Sequence, residues 1–93
     1  MKIVINCCYG GFRLSNALMD EFNAPTPWTE VERTDERLIK FVEDHAELCN
    51  SHYTDLRVVE IPDSATDWTI IEDGNGYEYI VYVLGGKLHY EMG

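Results

Sequence analysis

One short run of turn residues constrains this chain more than any other feature. Asp73-Gly74-Asn75-Gly76 lies between two β-rich runs, Trp68 to Glu72 and Tyr77 to Leu84. Glycine and asparagine readily adopt the positive φ angles that a tight hairpin loop needs. The pattern therefore predicts an antiparallel hairpin. Gly85-Gly86 predicts a further turn, after which Lys87 to Glu91 either adds a short edge strand or frays.

Two more strands are predicted outside this hairpin. Residues 2 to 9 form an apolar, β-rich run that stops at Gly10-Gly11. Leu56 to Ile61 is a second β-branched run, and it ends at the turn pair Pro62-Asp63. Because helices separate the first strand from the others, we expect it to pair parallel to one neighbour.

Two helices are predicted between these strands. Ser15 is a good N-cap for a short helix that continues to about Phe22. Thr34, followed by two acidic residues, predicts the start of a second helix, in which apolar residues recur at spacings of three and four as far as Cys49. The order of elements predicts an α+β fold. We expect a single small domain over residues 1–93, with a mostly antiparallel sheet of four or five strands and both helices packed on one face.

The charge of the chain excludes several classes of partner. Its 93 residues include 17 acidic and 7 basic ones, for a formal net charge of −10. This charge opposes direct binding to nucleic acid phosphates and to anionic membrane surfaces. Residues 58 to 93 contain 7 acids and a single base, Lys87, so the C-terminal sheet is expected to be the acidic end.

The predicted strand from Tyr77 to Leu84 has apolar or aromatic residues on both faces, which is typical of a strand that lies under a partner. Tyrosine beside carboxylates favours a protein interface, because the ring supplies contact area at low entropic cost and the acids steer a basic partner. The alternative is that the tyrosines are ordinary half-buried sheet residues and the acids serve solubility. The predicted interface consists of Glu72, Asp73, Tyr77, Glu78, Tyr79 and Tyr82.

A second candidate site lies where the first strand meets the first helix. Cys7 to Ser15 has the order strand, glycine turn and helix N-terminus, which can offer backbone amides to an anion. The ligand predicted for this site is a phosphate-bearing metabolite or a signalling nucleotide. The glycine spacing of known phosphate loops is absent, so a purely structural turn is the alternative. The candidate ligand-binding residues are Tyr9, Gly10, Gly11, Arg13 and Ser15.

The histidines and cysteines suggest weaker possibilities. His45, Cys49 and His52 would share one helix face if the second helix continued that far, and a cysteine of the first strand could complete a zinc site. Paired ligands in a tight knuckle are missing, so we favour a buried structural Cys49 with surface histidines, and we predict no metal or other cofactor. Cys8 beside a helix start is a candidate nucleophile, but nothing in the sequence places a histidine next to it. An enzymatic function is therefore the least favoured hypothesis.

The cysteines also indicate the cellular compartment in which the protein is expected. There are three, and the adjacent Cys7 and Cys8 cannot form an unstrained disulfide with each other. No secretory signal is evident at the N-terminus. These features predict reduced thiols in the cytoplasm.

Several segments resemble one family of viral proteins. The pattern K-I-V-I-N-x-C-Y-G-G-F-x-L-S at Lys2 to Ser15 is the most specific part, and R-T-D at Arg33 to Asp35 and L-R-V-V-E-I-P-D at Leu56 to Asp63 extend it. Together they resemble small proteins encoded by bacteriophages and some large DNA viruses, a family without an assigned activity. The resemblance implies a viral accessory protein located in the cytoplasm of the host cell.

These observations lead to one principal functional hypothesis. We expect a non-enzymatic binding module that engages a host protein with a basic surface, such as a defence or nucleic-acid-binding factor, and inhibits it. A small-ligand binder is the main alternative, with an enzyme of unknown type behind it. A homodimer is a further candidate assembly, and neither nucleic acid nor membrane is expected as a direct partner.

Overall fold

The first and second strands form a two-stranded antiparallel sheet. The computed structural model describes residues 1–93 and places β1 at Lys2–Asn6 and β2 at Leu56–Glu60. Ile3 lies opposite Val59, and Asn6 lies opposite Leu56. The expected parallel pairing of β1 is therefore wrong. The intervening chain leaves β1 and enters β2 at the same end of the sheet, which requires opposite strand directions.

The remaining strands form a second antiparallel sheet in the order β3-β4-β5. The bounds are Asp67–Glu72 for β3, Glu78–Leu84 for β4 and Lys87–Glu91 for β5. Both connections contain glycines with positive φ angles, among them 86° at Gly74 and 60° at Gly85. The hairpin and the short edge strand predicted from these turns are confirmed.

The two helices begin at side-chain caps. α1 spans Asn16–Phe22, and the Ser15 hydroxyl accepts a hydrogen bond from the Leu18 amide at 3.2 Å, as predicted. α2 spans Glu36–Asp44, and its cap is Asp35 rather than the expected Thr34. A carboxylate oxygen of Asp35 accepts hydrogen bonds from two free amides of the first turn, which an acid at this position does well because it also complements the helix dipole.

The second helix is shorter than its apolar pattern predicts. It ends at Asp44, because His45 has φ −137° and leaves the helical region. A short 3₁₀ turn at Ala46–Leu48 follows and carries the chain to Cys49, which is buried. The turn lets Cys49 reach the apolar core without a continuous helix.

The elements stack in three layers, with an apolar core between each pair. Leu18 of α1 and Leu38 of α2 pack with Val4 on one face of the first sheet. The other face of this sheet, which includes Ile3, packs against Ile80 of the second sheet. The layer order is helices, first sheet, second sheet. The α+β fold with both helices on one face is confirmed, but its five strands form two sheets rather than the one expected sheet. Neither helix has the length and apolar character needed to cross a membrane.

Candidate binding cleft

A cleft of about 870 Å³ opens between three segments that the fold brings together. Its first wall is the glycine turn after β1, Gly10 to Phe12. Its second wall is the loop from Trp28 to Arg33, which precedes α2. The third wall consists of Trp68 and residues of the β3–β4 hairpin between Glu72 and Glu78. This volume lies within the range of about 300–1,000 Å³ that ligand-binding clefts commonly have.

Hydrogen bonds join the first wall to the third. Asn6 is fully buried at the end of β1, and its Nδ2 atom donates to the carbonyl oxygens of Gly76, at 2.9 Å, and Cys8, at 2.8 Å. The Gly10 amide donates to the Asn75 carbonyl oxygen at 2.8 Å. Because buried polar groups that have their partners resist rearrangement, these bonds hold the glycine turn against the hairpin.

This junction depends on the absence of a side chain at Gly76. A Cβ atom there would overlap the Gly11 backbone nitrogen and would lie 2.6 Å from the Gly11 Cα atom. Gly76 also has a φ of 93°, which residues with a side chain rarely adopt. The close approach of two backbones, rather than a ligand, explains this glycine.

A buried ion pair anchors the second wall. The guanidinium of Arg33 forms two hydrogen bonds with the Glu78 carboxylate, at 2.8 and 3.0 Å, and Glu78 also accepts one from the Asn6 amide at 2.7 Å. The same guanidinium lies 3.6 Å from the centre of the Phe12 ring. The Arg33 carbonyl accepts a hydrogen bond from the Val4 amide at 2.9 Å, so this loop is also attached to the edge of β1. The positive charge of Arg33 is consequently neutralised within the wall.

The open surface of the cleft is aromatic and acidic. Trp28 and Trp68 are 61% and 36% exposed. Four glutamates and a single basic residue, Arg33, line the cleft, so its walls carry a net charge of −3. The exposed glutamates, Glu30, Glu32 and Glu72, form no ion pair within 4.0 Å. Indole faces and free carboxylates both attract cations, so this geometry suits a guanidinium or an ammonium group.

The residues predicted for a phosphate ligand do not converge on one point. Gly10 and Gly11 line the cleft, while Ser15 caps α1. The Arg13 guanidinium lies outside the cleft lining, over the rings of Trp28, at 4.8 Å, and Tyr53, at 5.7 Å. Tyr9 is exposed, with its ring 5.8 Å from that of Tyr77. The cleft beside the two glycines is acidic, which opposes an anion there.

The residues predicted for the protein interface lie in different parts of the structure and do not form one surface. Glu72 and Glu78 line the cleft, and Asp73 accepts a hydrogen bond from the Asn75 amide within the hairpin turn. Tyr77 is half-buried against the core between the sheets. Tyr82 is 8% exposed and belongs to that core, whereas Tyr79 alternates to the opposite face of the second sheet. Of the six, only the two glutamates therefore meet at the cleft.

The histidines and cysteines are also separated. His45 and His52 are exposed while Cys49 is buried, and the chain contains no group of three or more potential metal ligands among its histidine, cysteine and acidic residues. The shared helix face does not form because α2 ends at Asp44. Burial raises the pKa of the Cys49 thiol to about 11.

The two cysteines that follow β1 show no paired base. The Cys8 thiol donates to the backbone carbonyl of His52 at 3.6 Å rather than to its ring. Burial raises the pKa of the Cys7 thiol, and a raised pKa disfavours the thiolate that a nucleophile requires. The raised pKa of Cys7 is the opposite of what covalent catalysis by a thiolate needs.

The interpretation of the sequence missed most of the cleft lining, including Trp28, Glu30, Glu32 and Trp68. A signal for the first three was present, since the run W-T-E-V-E-R follows two prolines and alternates acidic with other residues. In an extended segment such alternation places both glutamates on one side. No comparable local signal relates this loop to Trp68, because their proximity arises only from the tertiary fold.

Comparisons of the chain with protein-family models, with curated protein sequences and with solved structures found no significant match.

Proposed function

We propose that this protein is a non-enzymatic viral binding module that uses the acidic, aromatic cleft to engage a basic host protein and inhibit it. One observation carries the proposal: three unpaired glutamates and two exposed tryptophans face a cleft whose only base is already paired with Glu78. Such a cleft attracts positive charge and can hold an inserted arginine or lysine side chain against the Trp68 indole. Arg13 of the chain itself already lies over one face of the Trp28 ring.

The chemistry of the cleft also indicates how inhibition would work. Proteins that bind nucleic acids present clustered arginine and lysine side chains to phosphates. An acidic protein that covers such side chains competes with the nucleic acid for the same surface. The resemblance to small phage and viral proteins supports the viral origin in this proposal, and the odd number of cysteines supports the host cytoplasm as the compartment.

The phosphate-binding alternative makes a different prediction at the same glycine turn. It requires Arg13 to contact the ligand, so Arg13→Ala should abolish binding of a phosphate-bearing compound. The proposal of a basic partner requires the glutamates instead. The position of Arg13 over two aromatic rings and the net negative charge of the cleft favour the basic partner.

Affinity capture from host lysate with three matched baits tests the proposal. The baits are the wild-type chain, the cleft variant Glu30→Gln/Glu32→Gln/Glu72→Gln, and the control variant Asp20→Asn/Glu21→Gln/Glu47→Gln. Both variants remove three negative charges from exposed positions, but only the first set faces the cleft. We expect the wild-type and control baits to retain the same basic protein at low salt, and the cleft variant to lose it. Equal retention by all three baits, or no retention by any, contradicts the proposal.

A further inference from the structure

The second sheet has one face that no other element covers. β4 alternates along its length, so that Ile80 and Tyr82 point to the core while Tyr79, Val81 and Val83 point away from it. The strand register adds Ile71 of β3 and Leu88 and Tyr90 of β5 to the same side. These six apolar and aromatic residues, together with Thr69, make up most of the outer face of the second sheet. Both helices lie on the far side of the first sheet.

The outer face is exposed at its edge strand. Leu88 and Tyr90 are 62% and 63% exposed, and the rings of Tyr79 and Tyr90 lie 6.3 Å apart. Two exposed and four half-buried side chains leave an apolar area of roughly a few hundred Å², which is within the range of the largest patch on a typical monomer. The largest apolar patch on a protein is often a functional contact surface.

The charge pattern selects the occupant of this face. Asp67, at the start of β3, is the only acidic strand residue on it, because Glu72, Glu78 and Glu91 alternate to the other side. A basic partner would find almost no carboxylate to pair with here. A second copy of the chain would meet almost no like charge, although each copy carries a net charge of −10.

The size of the face agrees with a modest dimer. Two such faces would bury at most about 1,000 Å² of apolar surface, and a polar rim would bring the total to the lower end of specific interfaces, about 1,200 Å². Tyrosine is enriched and charged residues are depleted at the centres of interfaces, as they are on this face. Two twisted sheets can pack face to face with strands inclined by about 30°.

We propose that the outer face of the second sheet is the interface of a homodimer, in which the three-stranded sheets of two copies pack against each other. This interface lies on the side of the sheet away from Trp68, Glu72 and Glu78, which line the cleft. The cleft of each copy therefore stays open in the dimer, and the two proposals stand independently.

Sedimentation velocity over a range of protein concentrations tests the dimer. We expect the wild-type chain to reach twice its monomer mass of 10.7 kDa at micromolar concentrations. Leu88→Glu/Tyr90→Glu should raise the dissociation constant by more than about 100-fold, since like charges forced together at an interface cost several kcal/mol. Both side chains are already exposed in the monomer, so circular dichroism should show an unchanged fold.

Two further variants locate the interface. Lys87→Glu makes the chain more negative at an exposed position of the same strand, but on the other side of the sheet, and should still dimerise. The cleft variant Glu30→Gln/Glu32→Gln/Glu72→Gln should dimerise as well, which separates this test from that of the proposed function. A wild-type chain that stays monomeric up to millimolar concentration overturns the proposal. So does a dimer that Leu88→Glu/Tyr90→Glu leaves intact.

Discussion

Glu78 links the stability of the fold to the charge of the cleft. Its carboxylate is buried between β1 and β4 and accepts hydrogen bonds from Arg33 and from the Asn6 amide. Desolvation of a carboxylate is unfavourable unless its oxygens are fully paired, and here they are. The pairing also leaves Glu30, Glu32 and Glu72 as the uncompensated charges of the cleft, since it consumes the only positive charge in the walls.

Glu78→Gln should destabilise the protein by about 2 kcal/mol, because it leaves the Arg33 guanidinium without its counter-charge. This value is below the usual cost of breaking a buried pair, since the Arg33 side chain is 22% exposed. The matched control is Glu72→Gln, which makes the same change at the position directly opposite on β3, where the side chain is exposed. In urea unfolding, the free energy of unfolding of this control should change by less than about 0.5 kcal/mol. Equal shifts for the two variants would mean that the ion pair is not formed.

The buried Cys49 thiol makes stability depend on pH in the alkaline range. Its pKa in the folded protein is about 11, above the ordinary value of 9.0, because burial disfavours the thiolate. The folded state thus holds this proton more tightly, and the resulting stability is complete below about pH 9 and is lost as pH rises towards 11. Between pH 7 and pH 10, the free energy of unfolding of the wild type should fall by on the order of 1 kcal/mol more than that of Cys49→Ala. Urea unfolding at the two pH values measures this difference. An equal pH dependence of the two proteins would place Cys49 in water.

At the scale of single elements, the β3–β4 hairpin determines the shape of the cleft because it contacts the glycine turn after β1. The contact consists of the Gly10–Asn75 hydrogen bond and the close approach of Gly76 to Gly11. If Asp73 to Gly76 formed a different type of turn, both the hydrogen bond and the close approach would be lost. The turn is therefore part of the site as well as a connection.

Gly76→Ala and Gly74→Ala measure this contact separately from turn strain. Both glycines have positive φ, 93° and 86°, so alanine should cost about 1 kcal/mol at either position for conformational reasons. Only at Gly76 does the added Cβ atom collide with backbone, whereas nothing lies within 4 Å of it at Gly74. We expect Gly76→Ala to be less stable than Gly74→Ala by at least about 2 kcal/mol in thermal unfolding. Similar stabilities would show that the hairpin does not touch the glycine turn.

Elements whose signals are local were predicted correctly from the sequence. These elements are the β3–β4 and β4–β5 turns, the strands that the turns connect, and the Ser15 cap. Each depends on residues within a few positions of one another. The start of α2 was misplaced by one residue because Thr34 and Asp35 are both good caps, and its end was misplaced because an apolar pattern can continue through a 3₁₀ turn.

Features that depend on distant residues could not be predicted in this way. The antiparallel pairing of β1 with β2 and the division into two sheets are set by packing between segments far apart in the chain. The cleft is of the same kind, since Asn6 bonds to Gly76 and Arg33 to Glu78. The sequence identified the glycine turn and two of the glutamates as candidates, but not the loop that faces them.

At the scale of the whole molecule, two surfaces differ in charge and in the partner that each suits. The cleft is acidic and suits a cation, while the outer face of the second sheet is almost uncharged and suits a second copy. A dimer would carry two clefts, so a partner with two basic sites would gain avidity from simultaneous binding if their spacing matched.

Tryptophan fluorescence should report directly on the cleft, because the chain has two tryptophans and both line it. Titration with an arginine octamer should change the emission, and the apparent dissociation constant should rise roughly tenfold between 50 and 300 mM salt as the charges are screened. A glutamate octamer of the same length serves as the control and should produce no change. Emission that responds equally to both peptides, or a salt-independent affinity, would argue against electrostatic binding at this site.

Amide chemical shifts of the isotopically labelled protein, titrated with the arginine octamer, would show directly whether a cation binds in the cleft. We expect the largest changes in three cleft segments, Gly10 to Phe12, Thr29 to Arg33 and the hairpin from Glu72 to Glu78. The variant Glu30→Gln/Glu32→Gln/Glu72→Gln should abolish them. Shift changes spread over all acidic surfaces, or centred away from these three segments, would contradict binding in the cleft.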